Sequence, residues 1–219
     1  MINGTLIQQS LPALFKGLVV SIQIAACAST LGLVQGFVIT LLQTCKIKPI
    51  EIAITLFVNI IRGTPMLIQI LFAFYVLPHY GITFDAFWTA VIAIGCNSSA
   101  YISQILRSGI QSIPKGQFEA AYVLGLSKMQ TMRFVILPQA LTIVLPALGN
   151  EFITLIKDSS LASIIGVSEL SKEGRLIISR TYDAITIFTI IACLYLMVTL
   201  TLSFLIHKLE QKMRPHAHH

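Results

Sequence analysis

Apolar residues run along this chain in long blocks without charge. Residues 17–45 contain no Asp, Glu, Lys or Arg over 29 positions, residues 86–106 none over 21, and residues 184–206 none over 23. About 20 apolar residues cross the hydrocarbon core as a helix, so these blocks predict three spanning helices. Two further segments are long enough but interrupted. Residues 52–77 are apolar except for Arg62, which lies in Arg62-Gly63-Thr64-Pro65, and residues 134–156 carry Pro138, Pro146, Gly149 and Glu151. Both read as broken spans, with an ordinary proline-kinked helix as the plainer alternative. Irregular backbone is tolerated at membrane depth only where protein or a water-filled cavity covers it. The pattern thus predicts an all-α integral membrane protein with five transmembrane helices, in a single domain over residues 1–219. The spans are expected at about 17–45, 52–77, 86–106, 134–156 and 184–206.

Composition narrows the class. Only 11% of the 219 residues are charged, against about 25% in an average soluble domain. That is too little charge to cover a soluble surface. An apolar content of 55% excludes a disordered chain, and four cysteines are too few for a disulfide scaffold. Lys and Arg in the connections set the expected sidedness. Lys46, Lys48, Arg107, Lys115, Lys128, Arg133, Lys208, Lys212 and Arg214 fall on one side. Lys16, Lys157, Lys172, Arg175 and Arg180 fall on the other, partly offset by Asp158, Glu169, Glu173 and Asp183. The richer side is expected to be cytoplasmic, with the N-terminus outside and the C-terminus inside. The net charge of +6 then follows from topology and implies no nucleic-acid partner.

Some features point to no chemistry. The first fifteen residues have no basic n-region and no small-residue cleavage site follows, so the first span is expected to be an uncleaved anchor. Cys27, Cys45, Cys96 and Cys193 read as small apolar packing residues, since no two have metal-ligand spacing. His216, His218 and His219 read as a ragged tail. Gly32 and Gly36 form a GxxxG pair that lets helices approach closely, a motif common by chance in apolar segments.

Residues 107–133 are too long for a simple connector. They predict a first short helix from about Pro114 to Leu124, with Phe118, Ala121 and Tyr122 on one face. Gly125 suits a left-handed helix end. Ser127 and Gln130 make a capping box for a second helix, and Leu137-Pro138 is expected to turn the chain into the next span. A loop this structured is either a docking surface or a helix lying in the membrane interface.

Glu119-Ala120-Ala121, then Gly125, then Leu137-Pro138 resembles the EAA loop of the permease subunits of bacterial ATP-binding-cassette importers. The family pattern has Ile where this chain has Val135. Arg62-Gly63-Thr64-Pro65 and Lys157-Asp158-Ser159-Ser160-Leu161 resemble segments of the polar amino-acid permeases of the histidine, glutamine and arginine systems. The resemblance covers nearly the whole chain and implies a type I importer permease (MetI-like) fold. It implies as partners a second permease chain, identical or homologous, two cytoplasmic ATPase subunits and an external amino-acid-binding protein. It further implies a polar amino acid as cargo, membrane lipid around the helices, and ATP with Mg on the ATPase subunits. Glu119, Ala120, Ala121, Gly125, Leu137 and Pro138 (residues 112–138 as a loop) would dock on the ATPase. No Gly in this sequence is followed by Lys, so there is no Walker A loop to cradle phosphates. The chain is therefore not expected to be an enzyme.

The membrane-embedded polar residues are the candidate substrate pathway. Arg62 would cost at least about 2.5 kcal/mol at a lipid-facing helix centre, so it must face an interior partner. It would bind a substrate carboxylate, pair with Asp158 or Glu151, or hold its own turn. Asn97, Tyr101, Gln104 and Ser108 recur on one helical face, to line a path or join helices. Gln69 could join them. Asp158 would receive a substrate ammonium or pair with Lys157, and the resemblance favours the former. Glu151 could select a cationic side chain or pair with Arg62. Residues 159–168 are expected to cover the external mouth, and Glu169 to Asp183 to contact the binding protein or to form a solvated loop. The competing class is an ion-coupled secondary transporter with Arg62 and Asp158 as charge relays; the lack of inverted repeats counts against it. An intramembrane enzyme is disfavoured by the absence of HExxH and of a Ser, His and Asp set at matching depth.

Overall fold

The computed structural model describes residues 4–44 and 47–213. The expectations for Cys45, Lys46, Arg214, His216, His218 and His219 lie outside the described residues. Within them every regular element is helical. The long helix α1, Gly4–Thr44, is followed by α2, Lys48–Gly63, and α3, Met66–Tyr75. A 3-10 turn, Leu77–Tyr80, leads to α4, Ala86–Gln111. Then come α5, Lys115–Val123, the single turn α6, Lys128–Gln130, a π-helical turn, Thr131–Ile136, and α7, Leu137–Asp158. A 3-10 segment, Ser159–Ile165, precedes α8, Leu170–Thr181, and α9, Ala184–Met213. Among the described residues four helices are long and apolar enough to cross a membrane, or five if α2 and α3 count as one bent span.

The boundaries follow local chemistry. At about 1.5 Å per residue the 41 residues of α1 reach roughly 60 Å, far more than a bilayer core requires. Lys16 is therefore an exposed residue within this helix and not part of a connection. Asp85 caps α4 by accepting from the Trp88 amide at 2.8 Å. The segment 52–77 breaks at Thr64-Pro65, where α2 and α3 meet at 103°. Pro65 pushes Thr64 into extended backbone (φ −115°, ψ 143°). The carbonyls left open at the end of α2 are taken up by side chains: the Thr64 hydroxyl donates to Ile60 O at 2.9 Å and Gln69 Nε2 to Ile61 O at 2.8 Å.

The second expected break does not occur. α7 runs unbroken from Leu137 to Asp158 with Pro146 inside it. Gly149 serves helix packing: a Cβ there would lie 2.7 Å from Ile206 Cγ2 of α9. Leu137-Pro138 also does not turn the chain. It lies within a helix continuous from Lys128 to Ile165. Pro138 cannot donate an i→i−4 bond and crowds the carbonyl four residues back. The π-helical turn immediately before it provides the wider register that accommodates it.

The core forms where α1 and α4 cross, around Ile24, Ala28, Ala90 and Ile94. Here the GxxxG pair is a genuine contact. A Cβ on Gly36 would lie 2.7 Å from Ile102 Cγ2, and one on Gly32 3.2 Å from the Gly95 carbonyl. The 159–168 segment packs into this same core through Ala162, Ile165 and Val167.

Glu169 departs most from the expected solvent-facing loop, for it is fully buried. It caps α8 by accepting from the amides of Ser171 at 2.9 Å and Lys172 at 2.8 Å. It also accepts from Ser21 of α1 at 3.2 Å and Tyr195 of α9 at 3.0 Å. Only the outer face of α8, with Arg175, Arg180 and then Tyr182, is exposed. Burial raises the Glu169 pKa above the usual carboxylate range despite these four donors. A carboxyl whose pKa is raised by folding adds stability below its unfolded pKa and loses it as pH rises through the folded one. Glu169→Ala should cost about 1–3 kcal/mol by orphaning buried donors, read as a lower thermal midpoint in detergent. Glu169→Gln should keep the fold and flatten its pH dependence. An unchanged midpoint in the alanine variant would contradict this role.

Candidate functional site

The break between α2 and α3 opens one side of a polar cavity of about 350 Å³. Thr64, Pro65 and Met66 line it from the break, Asn97 and Tyr101 from α4, and Glu151, Thr154 and Asp158 from α7. The sequence candidates Asn97, Tyr101 and Asp158 are thus brought together. Glu151 accepts from Ser98 Oγ at 2.7 Å. Among the described residues neither Asp158 nor Glu151 forms an ion pair, so the expected alternatives of an Asp158–Lys157 bridge and of Arg62 pairing with either acid are not realised. Two carboxyl groups are left beside the cavity for a cationic group.

Arg62 is exposed in the last turn of α2 and its guanidinium lies 5.2 Å from the centroid of the Tyr101 ring. It does not itself line the cavity but stacks on Tyr101, which does. Gln69 is placed differently. Its Nε2 donates to Ile61 O, to Thr64 O at 3.2 Å and to Thr64 Oγ1 at 2.7 Å. Its Oε1 accepts from Asn97 Nδ2 at 2.9 Å. Gln69 therefore ties the broken helix to α4 and holds Asn97. Gln104 and Ser108, on the same face of α4, do not reach the cavity; they bond to Ser103 Oγ and Ile105 O. Thr154 was missed in the sequence, although Glu151, Thr154 and Asp158 follow the three- and four-residue steps of one helical face.

The second candidate is the loop after α4. α5 ends in a Schellman motif: the Gly125 amide donates to Tyr122 O at 2.9 Å and the Leu126 amide to Ala121 O at 3.1 Å, with Gly125 at φ +74°. The Ser127–Gln130 capping box then starts the next helix. Glu119 and Ala120 point outward, whereas Ala121 is the buried residue of α5. The expected apolar face of Phe118, Ala121 and Tyr122 is split, because Tyr122 is 82% exposed. Tyr122, Val123 and Leu124 instead form an apolar tip beside Gly125. Leu137 lines an apolar cavity with Phe37 and Met132, and Pro138 is exposed. No group of three or more metal-ligating side chains occurs among the described residues.

Residues 32–215 match the family described as binding-protein-dependent transport system inner membrane component. The chain is 39% identical over 210 residues to the L-cystine transport system permease protein TcyB of Bacillus subtilis (strain 168), covering 95% of this chain and 90% of that one. It is 39% identical over 207 residues to the glutamine transport system permease protein GlnP of Escherichia coli (strain K12), covering 94% of each. Among solved structures, an amino acid ABC transporter with histidines superposes with a TM-score of 0.92 at 38% identity, over 97% of this chain and 99% of that chain. The inward-facing MetNI methionine ABC transporter superposes at 0.77 with 20% identity, a likeness of fold alone, over 94% of this chain and 98% of that chain. The chain therefore belongs to the inner-membrane components of binding-protein-dependent transport systems, as a multi-pass permease subunit of an ATP-binding-cassette importer whose ATP is used by a partner ATPase.

Proposed function

We propose that the cargo is a polar amino acid and that it passes through the cavity at the α2–α3 break. The observation that carries this reading is the pair of carboxylates, Glu151 and Asp158, which form no ion pair among the described residues and line the same space as Asn97 and Tyr101. An α-ammonium, or a cationic side chain, suits those acids. Arg62, stacked on Tyr101, offers a guanidinium fork to the α-carboxylate. The likeness to cystine and glutamine permeases supports the same cargo class. Gln69 acts by holding Asn97 and the break in place.

The loop around Gly125 is the docking surface for the ATPase. Glu119 and Ala120 face outward next to the apolar tip Tyr122–Leu124, which no described residue covers. Leu137 and Pro138, farther along the chain, belong to the same proposed docking surface. Two permease chains, identical or homologous, would stand over two cytoplasmic ATPase subunits, with the N-terminus of each permease outside and the C-terminus inside. An external binding protein would deliver the substrate, and ATP closure would move the permease halves as rigid bodies. The excess of Lys and Arg on the loop side supports that sidedness.

The test is competitive uptake into cells that depend on this system, with labelled glutamine, cystine, arginine and histidine against a sugar and a dipeptide. Saturable uptake of at least one amino acid, reduced about tenfold or more by Asp158→Asn, is the expected result. Transport of the sugar or dipeptide in place of every amino acid would overturn the reading.

A further inference from the structure

α2 carries a second polar feature, outside the cavity. Glu51, Thr55, Asn59 and Arg62 follow one another at steps of four, four and three residues. At about 100° per residue they fall within roughly 80° of the helix circumference. Ile54 and Val58 occupy the neighbouring flank, buried together with Ala100 of α4. On the other side of the strip Ile52 and Leu56 border it, and Ile60, 53% exposed and about 100° from Asn59, faces away from it, as expected of a face toward lipid. α2 is thus divided into a packed flank, a lipid flank and a polar strip.

The strip has no partner among the described residues. Glu51, Thr55, Asn59 and Arg62 are all exposed. Among the described residues their side chains make no hydrogen bond or ion pair, apart from the stacking of Arg62 on Tyr101. An uncovered strip of this kind cannot face hydrocarbon, where an unpaired amide or charge costs several kcal/mol. It also leads somewhere. At its upper end Arg62 covers Tyr101, a wall of the cavity. From there it descends eleven residues, about 16 Å, to Glu51 in the first turn of α2. A groove of about 400 Å³ lies along it, lined by Glu51, Thr55 and Asn59 and, on its apolar edge, by Ile52 and Leu56.

We infer that this strip is the wall of a water-filled path that carries the substrate between the cavity and the Glu51 end of α2. The inference rests on the cavity being the substrate site. Continuity with the cavity through Arg62 and Tyr101 selects water and a polar solute as the occupant, over lipid or a dry contact with a second chain. Asn59 and Thr55 offer neutral hydrogen-bonding groups in the middle, so a charged solute is solvated there without being trapped. Glu51 attracts an ammonium at the end.

The test is thiol accessibility in the complete transporter in proteoliposomes. The four native cysteines are first replaced, and Cys is then placed singly at Thr55, Asn59 and Ile60. A membrane-impermeant cationic methanethiosulfonate is the probe. Thr55→Cys and Asn59→Cys should react at least about tenfold faster than Ile60→Cys. Equal rates on the two faces, or an unreactive strip, would overturn the inference. A second readout needs no cysteine replacement: Asn59→Leu in the native chain should lower uptake about tenfold at unchanged membrane abundance, and full uptake would equally overturn it. Labelling does not depend on which solute is carried. Fast strip labelling in a transporter that moves no amino acid would sink the cargo assignment and leave the path standing.

Discussion

Gly125→Ile should abolish uptake while the protein still inserts and assembles. Gly125 sits at φ +74°, a region where a β-branched residue is strained. The left-handed conformation costs an L-residue about 1–2 kcal/mol. The Schellman hydrogen bonds from Gly125 and Leu126 depend on that conformation. No atom lies within 4 Å of a Cβ built there, so the substitution causes no clash inside the chain. The strain is therefore relieved by moving the exposed turn and, with it, Tyr122, Val123 and Leu124. The membrane helices keep their packing, and the docking surface loses its shape. Uptake should fall about a hundredfold, toward background. ATP hydrolysis should lose its stimulation by loaded binding protein, and membrane abundance should stay unchanged. Gly125→Ala, which is less strained, should fall between the two. Full uptake by the isoleucine variant would remove Gly125 from the docking surface.

Arg62→Ala is expected to have the next largest effect. Arg62 is exposed and stacked on Tyr101, and it has no acidic partner among the described residues. Its removal therefore orphans no buried carboxylate. The break at Thr64-Pro65 is held by Thr64 and Gln69 and not by the guanidinium. Assembly should accordingly survive. What is lost is a charge-assisted contact to a substrate carboxylate, about 1.5–3 kcal/mol, or roughly 10- to 150-fold in transport efficiency. Arg62→Lys should recover only part of it, because an ammonium cannot form the bidentate fork. Uptake kinetics in vesicles, normalised to the amount of assembled transporter, decide the point. Normal kinetics in the alanine variant would exclude Arg62 from the substrate path.

The parts legible in the sequence are those fixed by local chemistry. The bilayer demands long charge-free blocks, so the major helices can be seen without a structure. The α2–α3 break is visible because Gly63 and Pro65 flank a single turn. The Gly125 turn and the Ser127–Gln130 capping box are likewise written in a few adjacent residues. The misreadings arise where the cause lies far along the chain. Gly149 suggests a helix break until Ile206 of α9 is seen to need its space. Glu169 reads as a surface charge because its partners Ser21 and Tyr195 come from α1 and α9. Gln69 reads as lining until its amide is found capping the broken helix. Tyr122 reads as sharing a face with Ala121 because helical spacing groups them, yet only Ala121 is buried. The exposure of Tyr122 follows from which side of α5 packs on the π-helical turn. Thr154 was recoverable from spacing alone once Glu151 and Asp158 were taken together.

The central claim is that this chain moves its substrate only when a separate ATPase drives it through the Gly125 loop. The most direct measurement is accumulation of the labelled amino acid in proteoliposomes, with the permease alone and with the full transporter. ATP must be on the loop side and binding protein on the other. The expected result is uptake against a gradient that needs ATP, ATPase and binding protein together, and none from the permease alone with an imposed ion gradient. Concentrative uptake by the permease alone, driven by an ion gradient, would contradict the account and restore the ion-coupled alternative.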